Sequence, residues 1–108
     1  QLVFILQRGV RFPQGPPNFY MYFYVYMLKT TNKANVRTYV GYTNNLKLRL
    51  SKHNNNKGAK STKGYKWVII YKKRYFTKSK AMREEYQLKK NTKYRNKIKN
   101  NYLLSLND

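Results

Sequence analysis

The run Tyr22-Phe23-Tyr24-Val25-Tyr26-Met27-Leu28 constrains the fold more than any other stretch. Its aromatic and β-branched composition is that of a strand. Successive strand side chains point to opposite faces. Tyr22, Tyr24, Tyr26 and Leu28 therefore share one face, and Phe23, Val25 and Met27 share the other. Both faces are substantially apolar, which predicts a central strand rather than an edge.

The polar stretch from Thr30 to Arg37 reads as a hairpin loop, and Thr38 to Tyr42 as the antiparallel return strand. Thr43 or Asn44 is placed to cap a helix running to about Asn54, with Leu46 and Leu50 burying at i, i+4. Asn54 to Gly64 reads as a flexible basic loop. Tyr65 to Phe76 returns to strand character around Trp67-Val68-Ile69-Ile70-Tyr71. Thr77 or Ser79 caps a helix over about 78–91. A very basic third helix over about 92–104 carries Tyr94, Ile98 and Tyr102 as a stripe. The expected fold is α+β, with element order β-β-α-β-α-α: a small, largely antiparallel three-stranded sheet flanked by helices. Residues 1–20 contain Pro13, Gly15, Pro16 and Pro17 and read as a leader, an expression remnant or a mobile arm. The folded unit is expected over 21–91, with a basic C-terminal helix in 92–108 packing on it.

Charge narrows the partner. Twenty-four Lys and Arg face three acids, a net charge of +21. Self-repulsion on that scale calls for a polyanion, and basic residues interleaved with aromatics favour nucleic acid. A compositional bias can inflate Lys, Asn and Tyr but does not explain the near-absence of acids. An anionic membrane is the weaker reading, since no long basic amphipathic helix precedes the C-terminal end. No run approaches the roughly 18 apolar residues of a membrane span. The absence of cysteine excludes a disulfide framework and a thiolate metal site.

Candidate chemistry gathers after the hairpin. Arg49 and His53 stand four apart on one helix face. They follow Tyr39-Val40-Gly41, where bare backbone is available. Tyr26 and Tyr39 lie on neighbouring strands and can bring two phenols side by side. Ordinary cross-strand packing is the competing explanation for that pair. At ~100° per residue Ala81, Met82, Glu85 and Leu88 fall on one helix face, with Glu85 near its middle and Glu84 toward its edge. An inward carboxylate must be paired or hold a metal.

The ordered set of Val25-Tyr26-Met27, Tyr39-Val40-Gly41 with twelve residues between the two tyrosines, Arg49, His53 and Glu85 resembles the GIY-YIG nuclease domain. Gly41-Tyr42-Thr43-Asn44-Asn45-Leu46, Lys57-Gly58-Ala59-Lys60 followed by Thr62, and Ala81-Met82-Arg83-Glu84-Glu85-Tyr86 are most similar to the small stand-alone members of the YhbQ type. The pattern is also similar to the catalytic domains of UvrC and of eukaryotic nucleases that cut branched junctions. The resemblance implies a metal-dependent endonuclease acting on branched, flapped or damaged DNA in repair or recombination. It implies Glu85 as ligand to Mg²⁺ or Mn²⁺ and Arg49 as holder of the scissile phosphate. It places Tyr26 and Tyr39 at the attacking water, one of them as general base, and makes His53 a proton acceptor or phosphate ligand. Tyr24 stands where the first motif has glycine, and Tyr42 where some relatives have a lysine.

Gly41, Lys57, Lys60, Lys63 and Lys66 are the expected DNA contacts, with Lys93, Arg95, Lys97 and Lys99 adding to them. These position a backbone without reading sequence. A tyrosine is a weak base at neutrality. The fields of a metal, Arg49 and the lysines are expected to lower its pKa. The expected location is the cytoplasm, at the nucleoid if the cell is bacterial, with a targeting protein as a possible partner. The alternative is a non-catalytic basic module that binds RNA or DNA. Composition alone fits it equally well, but it has no need of the inward Glu85.

Overall fold

A computed structural model describes residues 21–32 and 36–106. Residues 1–20, and with them the expected leader, lie outside the described residues, as do 107 and 108. The order is β1 (Phe23–Thr30), β2 (Thr38–Thr43), α1 (Leu46–Asn54), a short 3₁₀ turn (Lys60–Thr62), β3 (Trp67–Tyr75), α2 (Lys78–Lys90) and α3 (Thr92–Ser105). The sheet order is β2-β1-β3, antiparallel throughout. β1 is central, with apolar residues on both faces, and Val25 to Thr30 are all buried.

Those two faces build two cores. Val25 and Met27 pack with Val40, and with Ala81 and Leu88 of α2 and Ile98 of α3. Tyr26 and Leu28 pack with Trp67 on the opposite face, joined by the half-buried Leu46 and Leu50 of α1. The sheet is thus sandwiched, with α1 on one side and α2 and α3 on the other. β3 serves both cores through a bulge. Met27 pairs with Tyr71 but Leu28 with Ile69, so Ile70 is extra, and Ile70 and Tyr71 both pack against the Val25 side. The apolar run Val68-Ile69-Ile70-Tyr71 carries no sequence mark of that irregularity.

Helix ends follow side-chain caps. Asn45, one residue beyond the expected Thr43 or Asn44, accepts from the Leu48 amide at 3.1 Å, while the Thr43 hydroxyl accepts from the Asn45 amide. Thr77 caps α2 by accepting from the Lys80 amide. Asn91 ends α2 and caps α3. Arg95, expected at DNA, turns back to the last carbonyls of α2, Leu88 and Lys89, which are acceptors without helical partners.

The segment expected to be a flexible loop is a hydrogen-bonded strap. Asn56 and Gly64 take positive φ, and Asn56 Oδ1 accepts from the Gly64 amide at 2.8 Å. Asn54 then joins α1 to β3 from both ends. Its Oδ1 accepts from the Trp67 amide at 2.6 Å and its Nδ2 donates to the Trp67 carbonyl at 3.2 Å. The Trp67 indole is buried and donates to the Thr62 carbonyl, so it is core and not a stacking platform. Replacing Asn54 by Ala strands the Trp67 amide. An Asn54→Ala chain should lose about 2 kcal/mol by urea denaturation, with the m-value unchanged.

Candidate active site

Four of the expected residues meet on the α1 side of the sheet. β1 supplies Tyr26, β2 supplies Tyr39, and α1 supplies Arg49 and His53 one turn apart. The Tyr26 hydroxyl lies 2.9 Å from His53 Nε2 and receives Arg49 Nε–H at 3.3 Å. The Tyr39 ring stacks obliquely on His53, with centroids 4.8 Å apart, and lies 6.3 Å from the Tyr26 ring. Gly41, paired with Tyr26 across the strands, makes the arrangement possible. A Cβ there would lie 2.6 Å from the Tyr26 hydroxyl and 3.0 Å from Tyr39 Cε2. No other residue type fits beneath that phenol without displacing it.

This constellation on a β-β-α-β-α-α frame has a known counterpart. Residues 22–99 match the GIY-YIG catalytic domain. The chain belongs to the GIY-YIG family. Among curated proteins it resembles the UPF0213 protein of Oceanobacillus iheyensis, 45% identical over 67 residues, which are 61% of this chain and 74% of that one. The UPF0213 protein of Staphylococcus haemolyticus is 42% identical over 61% of this chain and 78% of its own length. That of Bacillus pumilus is 43% identical over 61% and 65%. No solved structure matches at a significant level. Membership identifies a nuclease domain with DNA as its substrate, in a family that is generally dependent on divalent metal.

The GIY-YIG site of this chain has a defined proton arrangement. Thr62 Oγ1 donates its only proton to the Ala59 carbonyl at 2.7 Å. It can therefore only accept from His53 Nδ1, 3.0 Å away. The imidazole thus carries its proton on Nδ1, leaving Nε2 to accept from the Tyr26 hydroxyl. The Tyr26 oxygen in turn accepts from Arg49. Both ring nitrogens of His53 are engaged and the residue is fully buried, so neither nitrogen is free to meet a phosphate.

Burial sets the electrostatics. It pushes His53 down to about 4 from an ordinary 6.5, with the nearby Arg49 charge adding to the effect. It pushes Tyr26 up to about 12; the Arg49 hydrogen bond opposes this and is outweighed. The expectation of a lowered tyrosine pKa is thus reversed in the protein itself, because Tyr26 is 2% exposed. Arg49 is held still more firmly in its charged form, first by the Tyr26 hydroxyl.

Glu85 stands on α2, in the layer across the sheet from α1, within electrostatic range of Tyr26. Its charge is among the influences that raise Tyr26, and its carboxylate pairs loosely with Lys89 at 3.6 Å. It is not the centre of the inward face. The buried axis of α2 runs from Ala81 to Leu88, and Glu84 and Glu85 flank it, both half-buried, while Met82 is 47% exposed. Glu84 faces Tyr71 and Tyr75 instead. Among the described residues no three His, Cys, Asp or Glu side chains form a metal cage. One hard carboxylate, its side chain 18% exposed and loosely paired with Lys89, fits a hard divalent cation that keeps most of its ligands as water.

Of the basic residues, Lys57, Lys60 and Lys63 are exposed along the strap. Lys66 is also exposed, with its ammonium on the Asn54 carbonyl at 2.8 Å.

Gly58 and Thr62 are site residues that the sequence does not assign. A Cβ on Gly58 would meet His53 Nδ1 at 2.5 Å, so glycine lets the strap close over the imidazole. The Lys57-Gly58-Ala59-Lys60…Thr62 run is visible in the family resemblance, but only the fold shows what it holds.

The unfolded chain protonates His53 near pH 6.5, whereas the folded chain resists until about 4. The stabilisation is complete above 6.5 and is lost as pH falls through that window, by up to about 3 kcal/mol. Denaturation at pH 7.5, 5.5 and 4 should show this loss. A His53→Gln chain, less stable at each pH, should lack that part of the slope.

Proposed function

We propose that the protein is an endonuclease that hydrolyses DNA phosphodiester bonds with Mg²⁺ or Mn²⁺, selecting branched, flapped or damaged DNA in repair or recombination. The observation that carries the reading is the Tyr26 hydroxyl held between Arg49 and an unprotonated His53 Nε2. A buried phenol raised to about 12 does not serve as a standing phenolate. It can, however, take a proton from an attacking water while handing its own to His53. The P–O bond to that water oxygen forms as the bond to the leaving oxygen breaks, and the leaving oxygen takes its proton from solvent. Arg49, charged at every working pH, faces the growing phosphate charge. Tyr39, half-exposed beside the imidazole, orients the water.

Glu85 is the residue placed to hold the ion. When bound there, Mg²⁺ or Mn²⁺ supplies Lewis-acid stabilisation of the phosphate oxygens. Lys57, Lys60, Lys63 and Lys66 contact the DNA backbone from the strap, whereas Gly41, expected among these contacts, is buried beneath the Tyr26 phenol and serves by making room for it. Thr62 ties that strap to His53, so backbone grip and proton acceptor sit on one unit. These contacts carry no base readout, which favours selection by DNA shape. The substrate locates the protein in the cytoplasm, at the nucleoid in a bacterial cell.

A panel of labelled flaps, splayed arms, junctions, duplex and single strands tests the reading. The protein should nick the branched members with Mg²⁺ and none of them with chelator. Glu85→Gln should reduce the rate at least about a hundredfold with binding retained, and Arg49→Ala should reduce it as far while also weakening binding. A purified Glu85→Gln chain that cuts at the wild-type rate contradicts the assignment.

A further inference from the structure

A groove of about 450 Å³ opens beside Arg49, between the N-terminal turns of α1 and α2. It is separate from the lysine-bearing strap. Phe23 and Tyr42 line it, the half-exposed Leu48 forms a wall, and Arg49, Lys52 and Lys78 bring three cations to it. None of the described residues lining it is acidic. Two larger cavities, of about 520 and 500 Å³, open where α2 and α3 meet β3; Glu84 lines the first, and Lys97 is the one cation among the described residues lining the second. Arg49 belongs both to the groove and to the hydrogen-bonded cluster around Tyr26, so the groove is continuous with the reaction centre.

We infer that this groove is the subsite for the nucleotide next to the scissile phosphate. Lys52 and Lys78 take the flanking phosphate, and Tyr42 and Leu48 give its sugar and base an apolar wall. Backbone charge meets ammonium, and a nucleoside face meets aromatic and aliphatic surface, the pairing that holds single strands without reading sequence. The subsite favours a strand unpaired on one side of the cut, because a nucleoside can lie against that wall only when its base is free. The inference rests on the nuclease reading and gives its shape selection a physical source.

The test is binding of a short fluorescein-labelled oligothymidylate to the full chain in EDTA, followed by anisotropy across a salt series. The Lys52→Ala/Lys78→Ala double variant should bind roughly tenfold more weakly. Its salt slope should be flatter by about 0.7 for each phosphate that is no longer neutralised. Leu48→Glu, a change at a position 52% exposed, should weaken binding without altering the melting temperature. Lys80→Ala/Lys90→Ala removes the same charge outside the groove and should leave the slope nearly unchanged. Equal losses in the two double variants, or a Leu48→Glu chain that binds as wild type, would overturn the subsite. Groove-dependent binding by a wild-type chain that cuts no DNA would support the subsite and sink only the nuclease reading.

Discussion

His53 is fully buried in a chain of net charge +21, and it is buried neutral. In the resting site a protonated imidazole beside Arg49 would place two cations together in low dielectric with no anion to offset them, which costs far more than the neutral ring; during the proposed transfer the growing phosphate charge supplies that anion. Neutrality leaves one donor and one acceptor to satisfy, and the fold supplies one partner for each. Thr62 takes the Nδ1 proton and Tyr26 gives its own to Nε2. Most of the site's other features serve this bond: Gly41 makes room for the phenol, Gly58 for the imidazole, and the Ala59 carbonyl fixes the direction of the Thr62 hydroxyl.

The sheet distributes the remaining tasks. Its α1 face holds the hydrogen-bonded cluster of Tyr26, Arg49 and His53, and its other face holds the apolar packing of α2 and α3. Glu85 belongs to that second layer, where the packing of α2 sets it within electrostatic range of Tyr26. The neighbouring Glu84 turns to Tyr71 and Tyr75, where its charge helps to raise both phenols.

Legibility in the sequence depended on how local the determining physics is. The central strand was plain because a run apolar on both faces has only one place in a sheet. The extents of α2 and α3 followed from a cap at Thr77 or Ser79 and from periodicity, whereas the double role of Asn91, which ends α2 and caps α3, was not singled out. The α1 cap was displaced by one residue, because Thr43, Asn44 and Asn45 are all competent and only backbone geometry chooses among them. The bulge at Ile70 leaves no trace in a uniformly apolar run. The strap was hidden by its Lys and Asn content, since its order comes from contacts of Asn54, Asn56 and Thr62 made in three dimensions. Arg49 and His53 stood out by type and spacing, and Tyr26 and Tyr39 through the resemblance to the GIY-YIG pattern, whereas the direction of the Tyr26 shift depends on burial that neither encodes.

The functional reading therefore turns on one imidazole able to receive a proton from a phenol that cannot hold a negative charge unaided. The chain has a single histidine, so its ring nitrogens can be observed without assignment ambiguity. ¹⁵N NMR of the labelled protein through a pH titration tests the arrangement directly. The expected result is a proton on Nδ1, an unprotonated Nε2 shifted by the Tyr26 hydrogen bond, and titration near pH 4. A ring protonated on Nε2, or one titrating near its ordinary 6.5, would contradict the proton path on which the account rests.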